Sequence, residues 1–261
     1  MKYETIQYQK RESVGYIDFN RPEIHNAFNS TVIREMLDLF EQLAKDSDLR
    51  LVVLSGKGKS FCAGADLNWM RSVVTQSFEQ NLAESNELAD LFYRIYTFKR
   101  PIIGKINGAA IGGGTGFVAV CDIAIAARSA KFSFSEVKIG VVPACIGPYV
   151  IRKMGEGKAR ELFITGERMK AERAFQVGLV NKVVDDDQLD DEVDTLVESV
   201  LSSGPEAVAM AKKLVSEVPS MAPDRFKPYT AEMIARLRVS DEGQEGMDAF
   251  LNKRPPKWAK K

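Results

Sequence analysis

A change of rhythm near residue 184 limits how this chain can fold more than any other feature. Before it, short strand-like runs alternate with segments of helical period; after it, the pattern is wholly helical. Residues 14–19, 51–54, 102–106, 123–126 and 179–184 read as strands, because they are short apolar runs punctuated by Pro, Gly or Ser. Between the first two, Val32, Ile33, Met36, Leu37, Phe40, Leu43 and Ala44 recur on one helical face, with Ser30 or Thr31 as candidate caps. Helical patterns also cover 77–98, 115–120 and 171–177, the last closed by Gly178. Strand–helix alternation of this kind specifies an α/β fold with largely parallel pairing. From about Asp186, Leu189, Val193, Leu196 and Val200 share a helix face, and further helices are expected at about 205–217, 224–238 and 241–252. The expected division is a core over 1–195 and a helical region over 196–261. The apolar faces of that region would pack against another subunit or cap the chain's own core.

Composition narrows the chemistry. Lys plus Arg equals Asp plus Glu at 36 each, so no basic field points to nucleic acid or an anionic membrane. The start, MKYETIQYQKRESV, has no apolar signal core, and no run of about 20 apolar residues follows; a cytoplasmic protein is expected. Cys62, Cys121 and Cys145 form no CxxC pair and read as free thiols. The single histidine, His25, rules out a His-rich metal centre, and no Gly-x-Ser-x-Gly elbow accompanies it. His25 falls in a turn-like stretch, at the surface or the margin of a ligand site. Acid–base work would then fall to a carboxylate, Tyr, Cys or Lys.

Two glycine-rich turns carry the strongest chemical signal: residues 58–67, GKSFCAGADL, and 107–116, NGAAIGGGTG. Small residues let backbone approach a ligand and let N–H groups point one way. The second turn opens a helix, whose free N–H groups favour negative charge. Neither has the spacing of a nucleotide motif. Each alone could be packing; together they suggest two donors meeting at one oxygen.

The order FCAGADL, INGAAIGGG, CDIAIA, FSEVKIGVVP resembles the crotonase superfamily, the enoyl-CoA hydratases and isomerases, from Arg21-Pro22 to the FLNKRPPKW tail. The resemblance implies a spiral core of ββα units and a C-terminal helical region that builds trimers or dimers of trimers. It implies an acyl-CoA thioester as substrate and no cofactor or metal beyond the coenzyme A of that substrate. It places the two oxyanion donors on the N–H groups of Ala65 and Gly113. The segment from Ala63 through Asp66, Leu67 and Asn68 would line the thioester site. Arg21, Lys57 and the basic tail are weaker candidates for the CoA phosphates.

In two-carboxylate hydratases of this family one Glu follows the GGG segment and a second lies twenty residues later. Here the first position is Gly116 and the second is Glu136, the expected catalytic acid/base. Burial should raise its pKa toward neutrality. One Glu can take a proton from water and pass it to C2 of a 2-enoyl thioester; it can equally move a proton from C2 to C4 in a 3-enoyl thioester. Three readings follow: a hydratase, a Δ3,Δ2-enoyl-CoA isomerase, or a non-catalytic acyl-CoA binder. The segments DLNWM, GGGTGFV and PACIGPYV resemble members that hydrate methylglutaconyl-CoA or carboxygeranoyl-CoA, which favours a hydratase of branched or carboxylated chains. Many hydratases carry PGxGG where this chain has PACIGPY. Tyr149 is a candidate hydrogen-bond donor in the pocket or a core Tyr; Trp69 and Met70 would line the acyl pocket or pack the core. Asp122 reads as a structural hydrogen-bond partner.

Overall fold

The computed structural model describes residues 2–259. Contacts divide them into two units, the first built from residues up to Phe98 and Ile102–Val193. Its chain opens with an antiparallel hairpin, β1 (Ile6–Arg11) and β2 (Val14–Phe19). Helix α1 (Ser30–Lys45) follows and buries Val32, Ile33, Met36, Leu39, Phe40 and Leu43. Its cap is Asn29, whose side chain accepts from the Val32 N–H, rather than Ser30 or Thr31.

Successive strands then go to two different sheets. Strand β3 (Leu51–Gly56) is buried throughout, and β4 (Ser60–Cys62) leaves for the second sheet before α2 (Leu67–Val73) and α3 (Phe78–Tyr96). The pattern repeats as β5 (Ile102–Ile106), β6 (Ala109–Ile111) and α4 (Gly113–Val120), then as β7 (Ile123–Ala127), β8 (Lys131–Ser133) and α5 (Gly147–Met154). These are the expected ββα units. Helix α6 (Glu156–Thr165), β9 (Arg168–Lys170), α7 (Ala171–Gln176) and β10 (Lys182–Val184) complete the unit.

The first sheet has the order β1-β2-β3-β5-β7-β10, parallel from β2 onward; the second has the order β4-β6-β8-β9, with only β9 antiparallel. The strand expected over 179–184 is shorter, because the Leu179 and Val180 N–H groups both close on the Ala174 carbonyl at the end of α7. Phe117 of α4 anchors the core beside the second sheet. Its ring lies 4.9 Å from Phe19, 4.9 Å from Phe92 and 5.7 Å from Phe28. Such pairs add about 0.5–1.5 kcal/mol each beyond burial, so α4 is held firmly in the core.

The second unit joins Lys99–Pro101 to the residues from Asp194 onward; the boundary falls within α8 (Leu189–Leu201). It contains α9 (Pro205–Glu217), α10 (Pro223–Val239) and α11 (Asp241–Leu251). Glu242 caps α9 by accepting from the Glu206 and Ala207 N–H groups, 2.8 Å each. The tail is folded back: Arg254 pairs with Glu245 at 2.7 Å and Asp248 at 2.5 Å, and Trp258 donates to the Ser202 carbonyl. Acidic residues of α11 thus pair with Arg254 and Lys257 of the basic tail; Lys260 and Lys261 lie outside the described residues. Among the described residues, no helix is long and apolar enough to cross a membrane.

Candidate active site

The second sheet positions the site. Its three parallel neighbours β4, β6 and β8 all end at one edge, and a candidate residue follows each within three positions: Ala65 after Cys62, Gly113 after Ile111, Glu136 after Ser133. Ligands collect outside the carboxyl ends of parallel strands for this topological reason.

Phe28 ties the two N–H groups together. Its N–H donates to the Gly64 carbonyl at 2.8 Å and its carbonyl accepts from the Asp66 N–H at 2.8 Å, forming a parallel bridge opposite Ala65. In such a bridge the intervening residue points its own N–H to the other side. The Ala65 N–H therefore faces away from Phe28, and no acceptor for it lies among the described residues. The Phe28 ring in turn lies against Gly113, 2.7 Å from where a side chain would begin. Gly113 is the first residue of α4, so its N–H has no intrahelical acceptor and sits at the positive end of the helix. Gly112 before it has φ 53°, a left-handed conformation that glycine adopts without strain.

The two turns are pressed into contact. A methyl group on Gly114 would lie 2.0 Å from the Cys62 carbonyl oxygen. Thr115 fastens the same turn from within: its buried hydroxyl lies 2.6 Å from the Ala110 carbonyl and 2.9 Å from the Ser133 carbonyl, bridging the ends of β6 and β8.

Glu136 stands over this helix terminus. Its Oε1 lies 3.1 Å from where a Gly112 side chain would begin, and its Oε2 is buried with no hydrogen-bond partner. Burial raises its pKa above the ordinary carboxylate value. The folded state therefore binds this proton more tightly than the unfolded chain. The stability linked to Glu136 is complete below the unfolded pKa and is lost as pH rises through the folded one. Glu136→Gln removes that loss. In melts run from about pH 4 to about pH 8, the variant should gain on the wild type as pH rises; a variant that loses ground would refute the raised pKa.

The other candidates divide. Ala63 and Asp66 lie in the turn, but the Asp66 carboxylate is committed to structure: it caps α2 through the Asn68 and Trp69 N–H groups and pairs with Arg21 at 2.9 Å. Arg21 also donates to the Ala27 carbonyl, so both of its contacts hold the turn. Lys57 pairs with Asp18 at 2.9 Å. Leu67 and Asn68 begin α2 with exposed side chains, and Trp69 packs 5.8 Å from Phe28 while donating to Glu84. Tyr149 belongs to an aromatic layer, 5.0 Å from Tyr96 and 6.4 Å from Phe92. His25 is exposed, with Nδ1 3.0 Å from the Ser60 hydroxyl. Asp122 accepts from the Ile102 N–H. No disulfide joins Cys62, Cys121 and Cys145; burial pushes the Cys62 thiol up to about 12, leaving it inert, while Cys145 is only half-buried. Among the described residues, no three His, Cys, Asp or Glu side chains cluster as a metal site would require.

Sequence reasoning missed Phe28, Thr115 and Ile146. Phe28 lay outside the glycine-rich turns; Thr115 lay inside the second turn and Ile146 inside PACIGPY, where nothing singled out either side chain.

Known proteins resemble this chain in sequence and in fold. The profile of the enoyl-CoA hydratase/isomerase family matches residues 9–261. The crotonyl-CoA hydratase of Syntrophomonas wolfei is 34% identical over 263 residues, covering 100% of both chains. The short-chain-enoyl-CoA hydratase of Clostridium acetobutylicum is 31% identical over 260 residues, covering 97% of each. The crystal structure of an enoyl-CoA hydratase from Shewanella pealeana superposes with a TM-score of 0.94 at 39% identity, covering 98% of this chain and 97% of that one.

Proposed function

The chain belongs to the enoyl-CoA hydratase/isomerase family, and on that premise we propose that it adds water to a branched or carboxylated 2-enoyl-CoA, with Glu136 as the single acid/base. One observation carries this reading: a buried carboxylate oxygen without a partner stands over a helix N-terminus whose first N–H is free. The thioester carbonyl oxygen sits between the Ala65 and Gly113 N–H groups. Water attacks C3 as Glu136 takes its proton, and the electron pair of the double bond moves onto the carbonyl oxygen as an enolate. Glu136 then returns the proton to C2. The raised pKa suits both halves of this transfer, because a group that is too acidic would accept a proton but deliver it poorly. The steps use no cofactor beyond the coenzyme A of the substrate.

The side chains packed around α4, Phe28, Phe92 and Ile146, are buried and apolar; a branched hydrocarbon end suits such surroundings, whereas a carboxylated end would need a cation beside it. Exposed Val239, Phe250 and Leu251 on α10 and α11 support self-association, as a trimer or a dimer of trimers. A second reading follows from Gly116: one base suffices to shift a double bond from C3 to C2, which would make the protein an isomerase.

A panel of 2-enoyl and 3-enoyl thioesters, read by mass spectrometry, tests these readings. Gain of one water mass on 2-enoyl substrates, greatest for branched chains, is the expected result. An isomeric product of unchanged mass from 3-enoyl substrates alone would replace the hydratase reading. No turnover of any member would leave an acyl-CoA binder.

A further inference from the structure

The direction of the Ala65 N–H depends on the chain from His25 to Phe28, which runs beside residues 63–66. The His25 carbonyl accepts from the Ala63 N–H at 3.0 Å, and the two Phe28 hydrogen bonds follow on either side of Ala65. Residues 25–28 belong to no helix or strand and share only the isolated bridge at Phe28. Their backbone is also unusual, because His25 and Asn26 are both left-handed, at φ 56° and 58°. Asn tolerates that conformation better than most residues.

Asn26 fastens this segment from inside, at 1% exposure. Its Oδ1 accepts from the Arg21 N–H at 2.9 Å, and its Nδ2 donates to the Lys57 carbonyl at 2.9 Å and the Ser60 carbonyl at 2.7 Å. One amide thus joins the loop before Phe28 to both sides of the turn between β3 and β4. The fit is close: a side chain on Gly56 would begin 2.7 Å from that Nδ2. Arg21, held at its own N–H by Asn26, returns through its guanidinium to Asp66 and the Ala27 carbonyl.

We infer that Asn26 is a positioning residue for the reaction. Its amide sets His25–Phe28 against residues 63–66, and through Phe28 it aims the Ala65 N–H. This inference rests on the enoyl-CoA reading above, which puts the thioester oxygen at that N–H.

Asn26→Gly separates the amide from the backbone conformation, since glycine adopts φ 58° without strain. In the folded variant kcat should fall on the order of 10²-fold, the effect of a misplacement of about 1 Å. The Kd of a saturated acyl-CoA should stay within a few-fold of the wild type. The carbonyl of a ¹³C-labelled 2-enoyl thioester should move downfield less on Asn26→Gly/Glu136→Gln than on Glu136→Gln alone. Leu43→Ala, on the buried face of α1, controls for lost stability: its Tm should fall while kcat, read below the midpoint, stays near that of the wild type. Asn26→Asp keeps the acceptor for Arg21 but loses both donors; it should show the same split and decides the matter if Asn26→Gly does not fold. Wild-type kcat and an undiminished shift in either folded variant would overturn the assignment, as would an equal loss of kcat in Leu43→Ala. A labelled carbonyl that did not shift even on Glu136→Gln would remove the enoyl-CoA reading and this inference with it. A normal shift there, undiminished by the Asn26 substitutions, would sink the positioning role alone.

Discussion

Glu136→Gln should lower turnover by about 10²–10⁴-fold, the usual effect of losing a general acid–base group, while acyl-CoA binding persists. The amide keeps the size of the carboxylate, and Oε1 keeps its place beside Gly112. Because Oε2 has no protein partner, the substitution breaks no hydrogen bond that holds the fold. Lost turnover would then report lost proton transfer rather than lost structure. Steady-state rates with the best thioester of the panel, together with calorimetric binding of a saturated acyl-CoA, make the comparison. Turnover within a few-fold of the wild type would remove Glu136 from the chemistry.

The second large effect is expected at Gly114, which has no assigned role in the proposed reaction. Its added methyl would meet the Cys62 carbonyl at 2.0 Å, and the carbonyl carbon at 2.9 Å. Both belong to backbone at the end of β4, so relief comes only by moving β4 and α4 apart. The two candidate donors flank that contact, Ala65 three residues beyond Cys62 and Gly113 immediately before Gly114. Removing one oxyanion donor typically costs about 10²–10³ in kcat, and Gly114→Ala should cost a comparable amount in the folded enzyme. Tm should fall as well, so the kinetics belong well below the new midpoint, with circular dichroism confirming the folded state. Wild-type activity at an unchanged Tm would mean that the spacing of the two turns does not matter.

How much of this could be read from the sequence depended on segment length. The strands of the first sheet from β2 to β7 are five or six residues of mostly apolar sequence, long enough to stand out between Gly and Pro. Every strand of the second sheet, which carries the site, is three residues long. No period of two can be recognised over three residues, so periodicity did not reveal that sheet. The glycine-rich turns at its edge were legible because they need small residues; the resemblance to the crotonase superfamily then put the two donors at Ala65 and Gly113. Helix α4 begins at Gly113 rather than Thr115, since the low helix propensity of glycine concealed the turn that matters most. The cap of α1 was misplaced by one or two residues among three neighbours, Asn29, Ser30 and Thr31, that can all serve. The contact between Gly116 of α4 and Ile146 joins residues thirty apart and has no local signature.

In the proposed reaction two tasks are separate: the Ala65 and Gly113 N–H groups polarise the thioester, and Glu136 moves the proton. The ¹³C NMR shift of a carbonyl-labelled 2-enoyl thioester bound to Glu136→Gln tests that separation directly. The labelled carbonyl should move downfield on binding, showing that polarisation survives without the acid, and the shift should shrink in Glu136→Gln/Gly114→Ala. A bound carbonyl in Glu136→Gln with the shift of the free thioester would contradict the account.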